Sequence, residues 1–169
     1  FDKGKLVTVT EKTTYSGTLS GANVIDASGK HVYPGFIAAN STLGLVEVDA
    51  VRASDDQQEM GQMLPHIRSL IAYNAESKVV ESMRPNGVLL AQSTPQGGRI
   101  SGTSSVVQLD AWNWEDAAVK SDDGIHLNWT RTLSYNRNWE TRSWSLESNK
   151  DYAKEVREIE QFFEDSKAY

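Results

Sequence analysis

Apolar and polar positions change rhythm several times along the chain, and each change marks an expected element. Residues 5–10 (Lys-Leu-Val-Thr-Val-Thr) alternate, with β-branched residues among them, and predict a half-buried strand. Residues 13–21 are turn-rich and predict a loop or a hairpin tip. Val24-Ile25-Asp26 and His31-Val32-Tyr33 flank Ala27-Ser28-Gly29-Lys30, the pattern of a hairpin closed by a glycine-bearing turn. Phe36-Ile37-Ala38-Ala39 is a short apolar run between Pro-Gly and Asn-Ser-Thr, as in a fully buried parallel strand. Residues 54–63 are polar, with Ser54, Asp55 or Asp56 as N-caps of a weak helix that Pro65 stops.

Residues 67–73 are apolar around one arginine. Asn74 then predicts the cap of a helix running to about Met83, with Val79, Val80 and Met83 on one side. Pro85-Asn86-Gly87 ends that helix, and Val88-Leu89-Leu90-Ala91 follows as a second buried strand. Strand, helix, turn, strand is the cadence of a βαβ unit. The interval from Ile37 to Val88 is longer than the roughly 30 residues such a unit uses, so residues 45–73 form an excursion. Residues 93–103 read as a loop, 105–109 as a strand and 112–116 as a turn; 125–129 alternate again. Residues 130–146 are rich in aromatics and arginine without clean periodicity and read as irregular. The strongest helix signal is residues 148–169. There Ser148 and Asp151 resemble a capping box, and Tyr152, Val156, Ile159, Phe162 and Phe163 recur at spacings of three and four.

Composition narrows the classes. The 169 residues suffice for one substantial core. A net charge of −6, with no cluster of basic residues, argues against nucleic acid and against a polybasic membrane patch. No apolar run is long enough to span a bilayer. Absence of cysteine removes disulfides and thiolate metal sites, which suits a soluble protein of cytoplasm or periplasm and chooses neither. No signal peptide opens the chain, and a start at Phe1 suggests a trimmed product.

Val-Ile-Asp-Ala-Ser-Gly-Lys-His-Val-Tyr-Pro-Gly-Phe-Ile, residues 24–37, resembles the segment that leads into the barrel of metal-dependent amidohydrolases, nearest the imidazolonepropionase-like branch. Residues 87–129 carry a second stretch of likeness. The resemblance implies an α/β fold. Residues 1–34 would supply part of a composite β-sandwich, and residues 35–169 the first βα units of a (β/α)8 barrel, closed off here by the amphipathic helix at 148–169. A whole barrel needs about 250 residues, so the barrel is incomplete in this chain. The family places a His-x-His pair of metal ligands after the Pro-Gly turn. Counted from Pro34-Gly35, those positions are Asn40 and Thr42.

Asn and Thr are weak ligands for a zinc-like ion, so no metal is expected there. Asn40 and Thr42 are instead candidates to face substrate at the end of the first strand, or an Asn-Ser-Thr turn cap. Gln96, Gly97, Gly98 and Ser101 lie in a stretch resembling the family's loop after barrel strand two, which would offer backbone N–H groups to a substrate or an oxyanion. A glycine-rich turn explains the same residues. Gly97-Gly98-x-x-x-Gly102 lacks the Lys-Ser/Thr of a phosphate loop. His31, His66 and His126 share no register that would make a metal trio. Asp110, Trp112, Trp114, Glu115 and Asp116 combine aromatics and acids as sugar sites do, but adjacent turn carboxylates rarely span a cleft, and these tryptophans, with Trp129, are read as packing. Arg131, Arg137 and Arg142 with Trp139 and Trp144 suggest an interface or covering surface. No Gly-x-Ser-x-Gly elbow is present.

These readings lead to a fragment of an amidohydrolase-like hydrolase, inactive alone, whose parent cleaves C–N bonds in small amides. No cofactor is expected in this chain; a divalent metal such as zinc belongs to the parent. Expected partners are the remainder of the barrel or a second copy. The alternative is a non-catalytic binding or assembly module derived from the same fold.

Overall fold

The computed structural model describes residues 1–11, 21–139 and 142–169. The chain divides into two compact units, Phe1–Pro34 and Gly35–Tyr169.

Within the first unit the only ladder contact among described residues is an isolated bridge between Asp2 and Lys5. The strand expected over residues 5–10 and the hairpin expected over residues 24–33 do not form. Val7, Val9, Val24, Ile25 and Val32 are exposed, so these segments bury no apolar face that would hold a strand in place. The turn itself is present. Gly29 adopts φ +73°, Lys30 N–H donates to the Ala27 carbonyl at 2.9 Å, and Ser28 N–H and Oγ donate to the Asp26 carboxylate. Most of the turn-rich stretch at 13–21 lies outside the described residues.

The second unit is built on a four-stranded sheet, β1 (Phe36–Ser41), β2 (Val88–Ser93), β3 (Ile100–Gln108) and β4 (Ala118–Leu127), in that spatial order. β1 and β2 are parallel; β2–β3 and β3–β4 are antiparallel. The crossover between β1 and β2 contains α1 (Ser69–Ala72) and α2 (Lys78–Met83), so the expected βαβ unit is present. The described strands do not close a barrel. Among the described strands β1 is the edge of this sheet, and Phe36 and Ile37 are exposed rather than buried, because no described strand pairs on its outer side.

α2 is shorter than its sequence signal, and its cap is Ser77, whose Oγ accepts from Val80 N–H. Asn74 is used upstream in a turn, accepting from Glu76 N–H at 3.0 Å. Val80 is the buried member of the expected apolar side, whereas Val79 is exposed. Past α2 a 3-10 turn over Arg84–Asn86 ends on Gly87 at φ +86°, which a residue without a β-carbon reaches at little cost.

The weak helix expected over residues 54–63 does not form; a 3-10 turn at Arg52–Ser54 precedes an extended stretch. This excursion is tied to β3 by parallel bridges, Met63 to Ile100 and Arg68 to Thr103. Its carbonyls take N–H groups that a plain sheet edge would leave open. The core lies under this excursion and the crossover: Leu70, Tyr73, Val80, Ala91, Val107, Leu109 and Ala117 are buried together.

α3 (Trp114–Ala117) is a single turn capped by Asn113, where a turn was expected. Residues 130–146 were expected to be irregular, but a hairpin forms from β5 (Leu133–Asn138) and β6 (Ser143–Ser148). Its alternation was hidden because Leu133, Tyr135 and Arg137 share one side, and the arginine interrupts the apolar pattern. α4 (Tyr152–Ala168) follows the predicted periodicity, with Ile159 buried. Ser148 closes β6 and does not cap α4; the chain turns in through Asn149, which accepts from Asp151 N–H at 3.0 Å. Among the described residues no helix is long and apolar enough to cross a membrane.

Candidate functional site

Parallel β1 and β2 put their carboxyl ends side by side, and a polar network grows there from the backbone outward. Ala38 pairs with Ala91 and Ser41 with Ser93, so three steps on β1 match two on β2, and the bulge falls at Asn40. Asn40 sits at φ +49°, a left-handed conformation that asparagine tolerates better than most residues. Gln92 holds this bulge. Its Oε1 accepts from Asn40 N–H at 3.0 Å, and its carbonyl accepts from Ser41 Oγ at 3.2 Å. Thr94 N–H then donates to the Ser41 carbonyl at 2.8 Å.

The Gln92 amide is held in turn. Its Nε2 donates to Asp123 Oδ2 at 2.8 Å and lies 3.4 Å from Ser104 Oγ. Lys120 Nζ is 2.6 Å from Asp123 Oδ1. Hydrogen bonds first from Lys120 and then from Gln92 hold the Asp123 carboxyl below the usual carboxylate range. Buried Ser104 donates to the Gly124 carbonyl at 3.2 Å, leaving its lone pair to His126 Nε2 at 2.7 Å. Asn40 is exposed at the end of this chain of contacts, and Thr42 is half-buried with its carbonyl accepting from Leu45 N–H at 2.9 Å. The left-handed step at Asn40 breaks the alternation that would align Asn40 with Thr42.

Gln96, Gly97, Gly98 and Ser101 form a separate group, pinned to the excursion. Gln96 N–H donates to the Gln57 carbonyl at 2.6 Å; Arg99 and Ile100 N–H both donate to the Gln62 carbonyl, at 2.7 and 2.9 Å. Asn128 Nδ2 contacts the Gly97 and Gly98 carbonyls and Ser101 Oγ at 3.2, 3.0 and 2.9 Å, and Ser101 Oγ donates to the Gly97 carbonyl at 2.6 Å. Gly98 has φ +58°, and a β-carbon there would come within 2.9 Å of the Gly61 carbonyl, so glycine is required. The N–H groups of Gln96, Arg99 and Ile100 are thus committed to protein carbonyls. Arg99 and Glu155 pair at 2.7 Å and tie the loop to α4.

The aromatic residues divide. Trp114 packs against the core, whereas Trp112 is 91% exposed and Trp129 is largely exposed, with Nε1 3.4 Å from the Tyr152 hydroxyl. Reading all three as packing is therefore corrected: α3 turns Trp114 inward and leaves Trp112 outside its single turn. Arg137 lies 4.2 Å over the Trp139 ring and 5.5 Å from that of Trp144. Among the described residues no three His, Asp or Glu side chains converge on a point that would hold a metal ion. Asn40 and Thr42, as neutral oxygen donors, do not fit the imidazole-bound metal of the resembled family.

Sequence reasoning missed Gln92, Ser104 and Asp123. Their one signal was a glutamine closing an otherwise apolar strand, Val-Leu-Leu-Ala-Gln-Ser.

The fold of this chain is similar to that of a solved structure. The crystal structure of an amidohydrolase from Thermotoga maritima MSB8 superposes on 66% of this chain with a TM-score of 0.55 and 24% sequence identity. The fold is amidohydrolase-like. The chain spans 31% of that protein's length. No protein-family model and no curated protein matches the chain by sequence.

Proposed function

We propose that this chain supplies the opening units of an amidohydrolase-type hydrolase, nearest the imidazolonepropionase-like branch, whose intact form cleaves C–N bonds in cyclic or linear amides. The observation that carries this reading is the network at the carboxyl ends of β1 and β2, the side on which barrel enzymes do their chemistry. Gln92 fixes the bulge, and the bulge presents Asn40 at the strand end. In this role Asn40 and Thr42 bind and orient substrate rather than metal, and the loop with Gln96, Gly97, Gly98 and Ser101 walls the same side. A divalent metal such as zinc would be held by residues outside those described. Alone, the chain is inactive; its partners are the rest of the barrel, or a second copy, and a small amide.

A second reading is a non-catalytic module of the same ancestry. It is favoured by the neutral side chains at positions 40 and 42. One experiment separates the two. The full product of the gene is purified with and without added zinc and assayed against a panel of cyclic imides, hydantoins and N-acyl amino acids. The hydrolase reading expects turnover by the full product, none by residues 1–169, and a raised KM in Asn40→Ala. A full product that binds zinc and hydrolyses nothing across the panel leaves only the module reading.

A further inference from the structure

Between residues 56–59 and residues 66–72 lies a cleft of about 470 Å³, with Pro95 at its side. That volume falls within the 300–1,000 Å³ range of small-molecule sites, and at about 30 Å³ per water-sized atom it holds roughly fifteen non-hydrogen atoms. Its walls carry opposite charges. Asp56 and Glu59 come from one segment and Arg68 from the other, with the His66 ring beside it, and Ile67, Ile71, Ala72 and Pro95 supply apolar surface between them.

These charges do not neutralise one another. The side chains of Asp56, Glu59 and His66 have no partner among the described residues, and no ion pair crosses the cleft. Arg68 is held from behind: its Nε and Nη2 meet the two Asp122 oxygens at 2.7 and 3.0 Å, which fixes the guanidinium and leaves Nη1 unused. Ile71 remains 56% exposed at the cleft. A simple anion would be repelled by the unpaired carboxylates of one wall, and a simple cation would leave the Arg68 Nη1 donor of the other wall unused. A molecule with both charges and an apolar body satisfies all three surfaces.

We propose that this cleft binds a free amino acid with a large apolar side chain, its ammonium facing Asp56 and Glu59 and its carboxylate facing Arg68 and His66. The proposal does not depend on hydrolase activity. It is tested by calorimetric titration of the full chain at pH 7 with L-tryptophan, whose size matches the cleft. Tryptamine, which lacks the carboxylate, and indole-3-propionate, which lacks the ammonium, are titrated in parallel.

L-tryptophan is expected to bind saturably at one site and each half-ligand more weakly. Part-exposed ion contacts are worth up to about 1 kcal/mol, a factor of about five, so Glu59→Gln should weaken L-tryptophan and tryptamine about three- to fivefold and leave indole-3-propionate no weaker. His66→Gln should do the reverse, weakening L-tryptophan and indole-3-propionate and sparing tryptamine. Both residues are exposed, and an unchanged far-UV spectrum verifies that each variant folds. Lack of saturable heat, equal affinity for all three ligands, or variants that affect all three alike would each overturn the proposal.

Discussion

Gly44→Ala isolates one contact on which the packing of the crossover depends. Gly44 sits at φ +80°, and a β-carbon built on it would overlap the ring of Tyr73, which is 5% exposed in the core. The two segments are also locked together by Asn74 N–H on the Gly44 carbonyl at 2.8 Å, so the backbone has little room to retreat. The left-handed conformation costs alanine roughly 1–2 kcal/mol. Overpacking against a fixed ring adds roughly 1–3 kcal/mol. The total, about 2–5 kcal/mol, is a large part of the 5–15 kcal/mol by which domains are usually stable. Urea denaturation at constant slope would measure it, with a fall in Tm of roughly 2–4 °C per kcal/mol for a chain of this size. The steric share can be separated. In a Tyr73→Val background the ring is gone, so Gly44→Ala should cost only the conformational part, about 1–2 kcal/mol. An equal cost in both backgrounds would show that the Gly44–Tyr73 contact does not hold the crossover.

Three further outcomes follow from the same structure. Ser77→Ala removes the side-chain cap of α2 and should cost about 1 kcal/mol by urea midpoint, whereas Asn74→Ala, which caps no helix, should cost less. Asp123 has a folded pKa lowered from 3.8, so it stabilises the fold above that value and the contribution disappears as pH falls through the folded pKa. Asp123→Asn should therefore flatten the loss of stability below about pH 4 in acid titrations followed by circular dichroism, and leave the alkaline side unchanged. Gln92→Leu leaves Asn40 N–H without its acceptor; its amide should exchange with solvent faster by at least about tenfold, while the amide of Val107 in β3 stays protected.

Legibility differed sharply along the chain. β2 and α4 were readable because burial imposes a period, with Ala91 in the core and Ile159 and its neighbours at helical spacing; β1 was located by its apolar run, although that run is largely exposed. The hairpin of β5 and β6 was not, since its apolar positions are shared with Arg137 and exposed to solvent, so no buried face wrote a pattern into the sequence. α2 was located but its cap was misplaced, because Asn74 and Ser77 are both good caps and only the turn at Glu76 decides between them. The first-unit strands failed for the opposite reason: alternation was present, but a strand also needs a neighbour. At the strand ends, Asn40 and the loop carrying Gln96, Gly97, Gly98 and Ser101 were singled out by resemblance alone. Gln92 and Asp123 were not, because a network between residues 31 positions apart leaves no local signal.

The bond between Asn40 and Gln92 spans 52 residues of sequence, and this has a consequence during synthesis. At about 5–20 residues per second, the ribosome needs roughly 3–10 s to deliver the acceptor after the donor has been made. For that interval β1 is a short apolar strand, bearing Phe36 and Ile37, with no parallel partner to take its hydrogen bonds. β2 is made before β3 and β4, so the wait of β1 ends when β2 emerges, and the β3–β4 hairpin, whose strands are adjacent in sequence, can zip only after that. Slowing elongation across residues 45–88 lengthens exposure of β1, and faster elongation shortens it; the yield of folded protein at fixed thermodynamic stability should track that waiting time.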